Sequence, residues 1–95
     1  MILLSEQADS DLQQILSYLA ERNRPGAIDL ANLFNAKIGG LAHFPFIGRE
    51  RPAVAPGLRS LVASNYVIFY RVQGDDVVII RVLDGRRDID AEFER

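Results

Sequence analysis

The second half of the chain alternates short apolar runs with polar breaks. Three runs rich in Val, Ile, Leu and Tyr lie between residues 58 and 88, and they are separated by Ser64-Asn65 and by a break at residues 73–76. Short apolar runs bounded by turn-forming residues are typical of β-strands joined by tight turns. This half of the chain therefore predicts an antiparallel meander of three strands.

The first half has the periodicity of two helices. Apolar residues recur at helical spacing from Ala8 to Leu19, and Ser5 stands where an N-cap residue is expected. A second helix begins near Pro25, since proline suits the first turn of a helix, and Pro45 ends it. Two helices joined by so short a link predict an antiparallel hairpin.

Met1 to Leu4 is a brief apolar run ahead of the helices, and we interpret it as a strand. The element order is then β-α-α-β-β-β, and the apolar stripe of the hairpin needs a sheet to cover it. The sequence thus predicts one α+β domain over residues 1–95, in which the helix hairpin packs on a mainly antiparallel four-stranded sheet.

The composition narrows the classes of function. The chain has 95 residues, no cysteine and a single histidine, His43, which excludes thiolate and multi-histidine metal sites. We expect neither a metal nor a cofactor. No apolar run approaches the ~18 residues that cross a bilayer, and the N-terminus lacks the pattern of a secretory signal. These features favour a cytoplasmic protein without a membrane partner.

The charged residues favour a protein partner over nucleic acid. The net charge is −2, so the chain lacks the positive field typical of proteins that bind nucleic acid through its phosphates. Lys37 is the only lysine among the 11 basic residues, and the others are arginines. Arginine suits bidentate pairing with carboxylates, so this bias fits a protein-facing surface, and we expect no direct binding of nucleic acid.

The order of elements and a set of short motifs together are more specific than any single feature. The motifs are Phe44-Pro45, Gly48-Arg49, Gly57-Leu58-Arg59, the run from Tyr66 to Val72, Arg81-Val82-Leu83 and Gly85-Arg86-Arg87-Asp88. In this order the chain resembles the ParE branch of the RelE/ParE superfamily of bacterial toxins. The resemblance implies a small toxin encoded with an antitoxin. Such a toxin either poisons DNA gyrase, as ParE-type members do, or cleaves messenger RNA on the ribosome, as RelE-type members do.

The residues themselves weigh these two chemistries. RNA cleavage through the 2′-hydroxyl needs a general base, a general acid and cations at the phosphorane. Arginine supplies only the cation because it stays protonated. Asp84 stands where many relatives carry histidine, and Tyr66 and Tyr70 are more typical of core residues with a satisfied hydroxyl. If the chain is a nuclease, the candidate residues are Arg59, Arg71, Arg81 and Tyr70.

The absence of a clear base favours a toxin that binds its target without catalytic residues. We predict that it inhibits DNA gyrase and is neutralised by a ParD-like antitoxin. Two alternatives stay open. One is a ribosome-dependent messenger RNA endonuclease of the RelE type, and the other is an inactive toxin fold kept as an antitoxin-binding module.

Two sets of residues are predicted for the two partners. The target-binding set is Arg59, Arg71, Arg81, Arg86, Arg87 and Asp88. The antitoxin-binding set is Leu16, Leu19, Phe34, Phe44 and Phe46. For Phe44 and Phe46 we favour packing into the core, with a partner site as the alternative, because monomers seldom expose contiguous apolar patches. Ion pairing of Arg86 and Arg87 with nearby carboxylates is an equal alternative to a functional role.

The register of the last hairpin decides which arginines share a face of the sheet. A three-residue loop at 73–75 pairs Arg71 with Val77 and places Arg81 on the same face as Arg71. A two-residue turn at Gly74-Asp75 separates the two arginines, since side chains alternate along a strand. We favour the three-residue loop because it gathers charge on the face away from the helices.

Overall fold

A computed structural model of the protein describes residues 1–87 and 89–93, and Asp88 of the predicted target-binding set lies outside them. The elements in chain order are β1 (Ile2–Leu4), α1 (Glu6–Arg22), α2 (Arg24–Gly40), β2 (Arg49–Glu50), β3 (Arg59–Ala63), β4 (Tyr66–Gln73), β5 (Asp76–Asp84) and α3 (Ile89–Phe93). No helix within these ranges is long and apolar enough to cross a bilayer.

The strands form a single sheet in the order β1-β5-β4-β3-β2. β1 lies parallel to β5, and the other neighbouring strands are antiparallel. The predicted α+β architecture, with a helix hairpin on a mainly antiparallel sheet, is confirmed. The predicted count of four strands is wrong, because the two residues of β2 pair with the outer edge of β3. A two-residue strand inside a loop rich in Pro and Gly has no periodicity of its own to reveal it.

Capping residues define where the two long helices begin. The Ser5 hydroxyl accepts a hydrogen bond from the Ala8 backbone N–H, as predicted, and donates one to the Ile80 carbonyl of β5. The Asn23 side chain accepts from the Gly26 N–H at the start of α2. Both caps satisfy backbone donors that a helix leaves without partners. Ser5 therefore starts α1 and ties it to the sheet with one hydroxyl.

The core lies on both faces of the sheet. Between the hairpin and the sheet, residues such as Phe34, Ile68 and Tyr70 are buried in the larger cluster. On the opposite face, a smaller cluster of Leu58, Phe69 and Leu83 is covered by α3. The sequence did not predict this short helix, whose Phe93 ring packs edge-on against Phe69 at 5.1 Å between centroids.

The turn between β4 and β5 contains two residues, Gly74 and Asp75, so the predicted three-residue loop is wrong. Gly74 has φ +61°, which suits a two-residue hairpin turn with glycine in its first central position. Arg71 consequently pairs with Val78. A bulge then shifts the register between Phe69 and Tyr70, so that Phe69 pairs with Arg81 and one residue of β5 has no partner. Because Arg71 lies two residues from Phe69, Arg81 is on the same face of the sheet as Arg71, as predicted, although the loop that was expected to place it there is wrong.

The loop after α2 is held by its backbone rather than by its aromatic side chains. Phe44 and Phe46 are 66% and 63% exposed, so the prediction that they pack into the core is wrong. The Gly48 N–H instead donates to the buried hydroxyl of Tyr70 at 2.8 Å. A Cβ at Gly48 would lie 2.5 Å from that hydroxyl and 2.9 Å from the Ser60 carbonyl, so only glycine fits here. The close approach of the glycine fixes the loop and leaves both rings in solvent.

Candidate functional site

Arg81 occupies an ion-pair network that joins three elements. Its guanidinium donates to both carboxylate oxygens of Asp11 on α1, at 2.8 and 3.1 Å, and Asp11 also accepts from the Val82 N–H. Glu92 of α3 lies 3.5 Å away on its other side. The hydrogen bonds that Arg81 donates to the Asp11 carboxylate raise the pKa of Arg81. With only 15% of its side chain exposed, Arg81 links α1, β5 and α3 and presents little charge to a partner.

Arg86 and Arg87 are exposed but paired. Arg86 makes two side-chain bonds to Asp84, at 3.2 and 2.9 Å, and its backbone N–H donates a third. Arg87 lies 2.6 Å from Glu92. Asp84 pairs with Tyr66 at the start of β4, so this pair of arginines lies at the far end of the strand from Arg71. Both arginines therefore show the ion pairing that was the alternative to a target-binding role.

Arg59 is fixed beside the loop that follows α2. Its guanidinium donates to the carbonyls of Phe46 and Gly48, at 3.0 and 2.8 Å, and lies 5.1 Å from the centroid of the Phe46 ring. Glu50 is its carboxylate partner at 3.4 Å. Arg59 was predicted for the target and Phe46 for the antitoxin, yet the structure brings these two residues into direct contact.

Three arginines lie together on the face of the sheet away from the hairpin. Arg49 pairs with Ser60, which pairs with Phe69, so side chains two residues from these positions share their face. This places Arg49, Arg51 and Arg71 together, and we call these three residues the arginine face. Arg51 lies 5.6 Å from the centroid of the Phe69 ring, in agreement with this assignment.

The arginine face differs from the other arginines of the sheet in its partners. Arg51 donates to the Ser60 hydroxyl and Arg71 to the Pro56 carbonyl, while Arg49 is exposed. Within residues 1–87 and 89–93, none of the three forms a salt bridge with a carboxylate. Arg49 and Arg51 were not predicted, because the Pro- and Gly-rich sequence around them is typical of a loop. Their spacing of two residues, typical of one face of a strand, was the available signal.

The nuclease candidates do not converge on one site. The Tyr70 side chain is fully buried, and its hydroxyl accepts the hydrogen bond from Gly48. Arg59 pairs with Tyr70, Arg71 belongs to the arginine face, and Arg81 is bound by Asp11. A proton donor or acceptor for a bound RNA must reach solvent, and the predicted tyrosine does not.

The residues predicted for the antitoxin fall into three environments. Phe34 is 2% exposed and packs edge-on against Tyr66, so it presents no surface to a partner. Leu16 and Leu19 are half-buried against the larger core cluster. Phe44 and Phe46 are exposed, as described above.

Comparison with known proteins identifies the family. A model of the ParE toxin of type II toxin–antitoxin systems, parDE, matches residues 2–89. The chain belongs to the ParE toxin family. It is 30% identical to toxin ParE3 of Caulobacter vibrioides over 97% of this chain and 93% of that protein. It is also 33% identical to toxin ParE1 of Mycobacterium tuberculosis over 93% and 92%.

The ParE-family fold is also found by comparison of structures. A chain of the chromosomal ParDE system of P. aeruginosa superimposes with a TM-score of 0.74, covering 87% of this chain and 92% of that one at 22% identity. The predicted resemblance to ParE-type toxins is thus confirmed, both in the family and in the fold. Arg49, Arg59 and Arg71 all lie inside the stretch that the ParE family model matches.

The ion pair between Asp84, at the end of β5, and Arg86 has a testable pH dependence. The side-chain bond from Arg86, followed by its backbone N–H, lowers the pKa of Asp84 from 3.8 to about 2. A depressed folded-state pKa means that the contribution to stability is present above pH 3.8 and is lost as the pH falls toward 2. A carbon-detected NMR titration should therefore place the Asp84 midpoint near 2. In Arg86→Ala the midpoint should return toward 3.8, and a wild-type midpoint already at 3.8 would contradict the pairing.

Proposed function

We propose that this ParE-family chain is the toxin of a type II toxin–antitoxin pair, that it inhibits DNA gyrase by binding, and that a ParD-like antitoxin neutralises it. The observation that carries the proposal is the arginine face. Its guanidinium groups have no carboxylate partner in the part of the chain that the structure describes, so they can pair with carboxylates of another protein. Gyrase acts on DNA in the cytoplasm, so the toxin acts there as well.

Inhibition by binding to a target protein fits the site better than catalytic cleavage of RNA. The target contacts that we propose are Arg71, predicted from the sequence, together with Arg49 and Arg51. Arg86 and Arg87 lie at the other end of β4 and would contribute only as a separate contact. Arg81 holds α1, β5 and α3 together and does not contact the target, since Asp11 and Glu92 already neutralise it.

The surface of the helix hairpin supports the proposed binding of an antitoxin. Leu16 and Leu19 are half-buried, so part of each side chain is available to an apolar partner. A chain of the ParDE system of P. aeruginosa has a similar fold. By analogy, we propose that the antitoxin covers apolar surface of the toxin rather than its paired charges.

A supercoiling assay tests the proposal. Purified toxin at micromolar concentration should inhibit the supercoiling of relaxed plasmid by gyrase, and addition of the antitoxin should restore it. Messenger RNA in a translation extract should stay intact at the same concentration. Cleaved transcripts with unimpaired gyrase would establish the endonuclease alternative instead. Folded toxin without effect in either assay, harmless when expressed without antitoxin, would indicate the inactive module.

A further inference from the structure

Arg51 differs from the other residues of the arginine face because its guanidinium is held from two sides. It donates to the Ser60 hydroxyl at 3.1 Å and lies 5.6 Å from the centroid of the Phe69 ring. A guanidinium within about 6 Å of a ring centroid is attracted by the negative face of the ring. Ser60 is 7% exposed and Phe69 is fully buried, so close packing fixes the positions of both neighbours.

The backbone of Arg51 is fixed as well. Its N–H donates to the Leu58 carbonyl at 2.8 Å, and its own carbonyl accepts from the N–H groups of Val54 and Ala55 at 3.1 and 3.2 Å. The bond to Leu58 joins the two ends of the loop between β2 and β3. The side chain of Arg51 therefore runs from an ordered backbone position to an ordered pair of contacts.

Neither contact neutralises the charge of Arg51. A serine hydroxyl and an aromatic ring are both uncharged, and in the described part of the chain no carboxylate forms a salt bridge with Arg51. The bond to Ser60 uses only one of the terminal nitrogens of the guanidinium. The remaining N–H donors lie in the same plane and can form two parallel bonds with a carboxylate of another protein.

The other two residues of the arginine face are held less completely. Arg71 donates through Nε to the Pro56 carbonyl at 3.2 Å, and no aromatic ring among the described residues lies beside its guanidinium. Arg49 is exposed, and within residues 1–87 and 89–93 its side chain has no hydrogen bond or ion pair. Ordering a long side chain at an interface costs binding free energy, and a side chain that is already ordered avoids most of that cost.

We infer that Arg51 is the residue of the arginine face that determines specificity, because Ser60 and Phe69 orient its guanidinium toward one aspartate or glutamate side chain of the target. Arg49 and Arg71 attract the target through their charge, whereas Arg51 selects the planar geometry of that carboxylate. This inference rests on the proposed function, since it assigns one contact with the proposed target to one residue and names the chemical group that it binds.

Substitution of Arg51 by lysine keeps the charge and removes the planar set of donors. The measurement is a gyrase supercoiling assay with a dilution series of each purified toxin. Arg51→Lys should raise the concentration that half-inhibits gyrase about tenfold. Arg49→Lys should raise it only about threefold, because lysine keeps the charge through which Arg49 acts. Equal effects of the two substitutions would overturn the specific role of Arg51.

Ser60→Ala removes the hydroxyl that orients Arg51 and leaves every charge in place. It should raise the half-inhibiting concentration about fivefold, and it should have no further effect in the Arg51→Ala protein. Ser10→Ala is the matched control, because it removes an exposed hydroxyl on α1 that accepts from Gln14. The control should change inhibition by less than about twofold. An equal effect of Ser60→Ala with and without the Arg51 side chain would show that Ser60 does not act through Arg51.

The mobility of the arginine side chains separates this inference from the proposed function. NMR relaxation of the Nε–H groups should show Arg51 ordered on the picosecond-to-nanosecond timescale and Arg49 mobile, and Ser60→Ala should make Arg51 mobile. Circular dichroism and thermal unfolding establish that each variant is folded. If Ser60→Ala does not fold, the comparison of Arg51→Lys with Arg49→Lys decides alone.

An Arg51 side chain as mobile as that of Arg49 in the wild type would overturn the inference, even if the toxin inhibits gyrase. An ordered Arg51 in a wild-type toxin that leaves gyrase active would support the orientation of Arg51 by Ser60 and refute the proposed target alone.

Discussion

Asp11→Ala is expected to lower the free energy of unfolding by about 3 kcal/mol, the largest effect on stability that we predict for a single substitution. The change removes both bonds to Arg81 and the acceptor of the Val82 N–H. It leaves a guanidinium that is only 15% exposed with Glu92 as its remaining carboxylate. Because Glu92 stays, the loss falls at the lower end of the ~3–5 kcal/mol typical of a broken buried pair.

Urea unfolding of purified toxin measures this loss. Asp9→Ala is the matched control, since Asp9 is an exposed carboxylate on the same helix and, among the described residues, its side chain bonds only to Gln13. It should cost less than about 1 kcal/mol, the value of an acidic residue near a helix N-terminus. Asp11→Asn keeps an acceptor and should fall between the two. Equal stability of the Asp11→Ala and Asp9→Ala proteins would contradict the structural role of the Arg81 network.

Arg71→Glu is expected to raise the toxin concentration that half-inhibits gyrase by about 30-fold. The substitution reverses a charge that has no carboxylate partner among the described residues, so it changes recognition more than folding. An arginine at the centre of an interface commonly contributes about 2 kcal/mol or more, which corresponds to that factor. Supercoiling assays with a dilution series of each variant measure the change.

Lys37→Glu provides the matched control for charge. Lys37 is an exposed cation on α2, away from the arginine face, and the substitution changes the net charge by the same amount. It should shift half-inhibition by less than about twofold. Arg49→Glu should resemble Arg71→Glu, because both residues belong to the same face. Equal effects of Lys37→Glu and Arg71→Glu would show that net charge, rather than a defined surface, governs inhibition.

Much of the fold follows from local patterns in the sequence. The helical period from Ala8 to Leu19, the cap at Ser5 and the restart at Pro25 each act within a few residues, so the two helices were predictable. The strands of the meander were predictable for the same reason. The bulge in β5 was not predictable, because one extra residue does not change the apolar character of the strand on either side of it. The register, and with it the neighbours of Arg81, depends on that one residue.

The candidate site was predicted less completely because its partners are distant in sequence. Nothing near Arg81 shows that a carboxylate 70 residues away neutralises it. Phe44 and Phe46 are of a residue type typical of the core. Only the backbone contact of Gly48 with Tyr70 shows why they stay exposed. The local sequence around Arg49 and Arg51 predicts a loop. Their position on one face of the sheet depends on pairing with β3, which local sequence does not specify.

The central claim is that the toxin acts by binding gyrase through its arginine face, and direct binding tests it best. Purified toxin is titrated against purified gyrase at physiological salt, with the Arg71→Glu and Lys37→Glu proteins in parallel. We predict saturable binding of the wild type and of Lys37→Glu, and binding about 30-fold weaker for Arg71→Glu. Folded wild-type toxin that shows no binding to gyrase at micromolar concentration would contradict the claim.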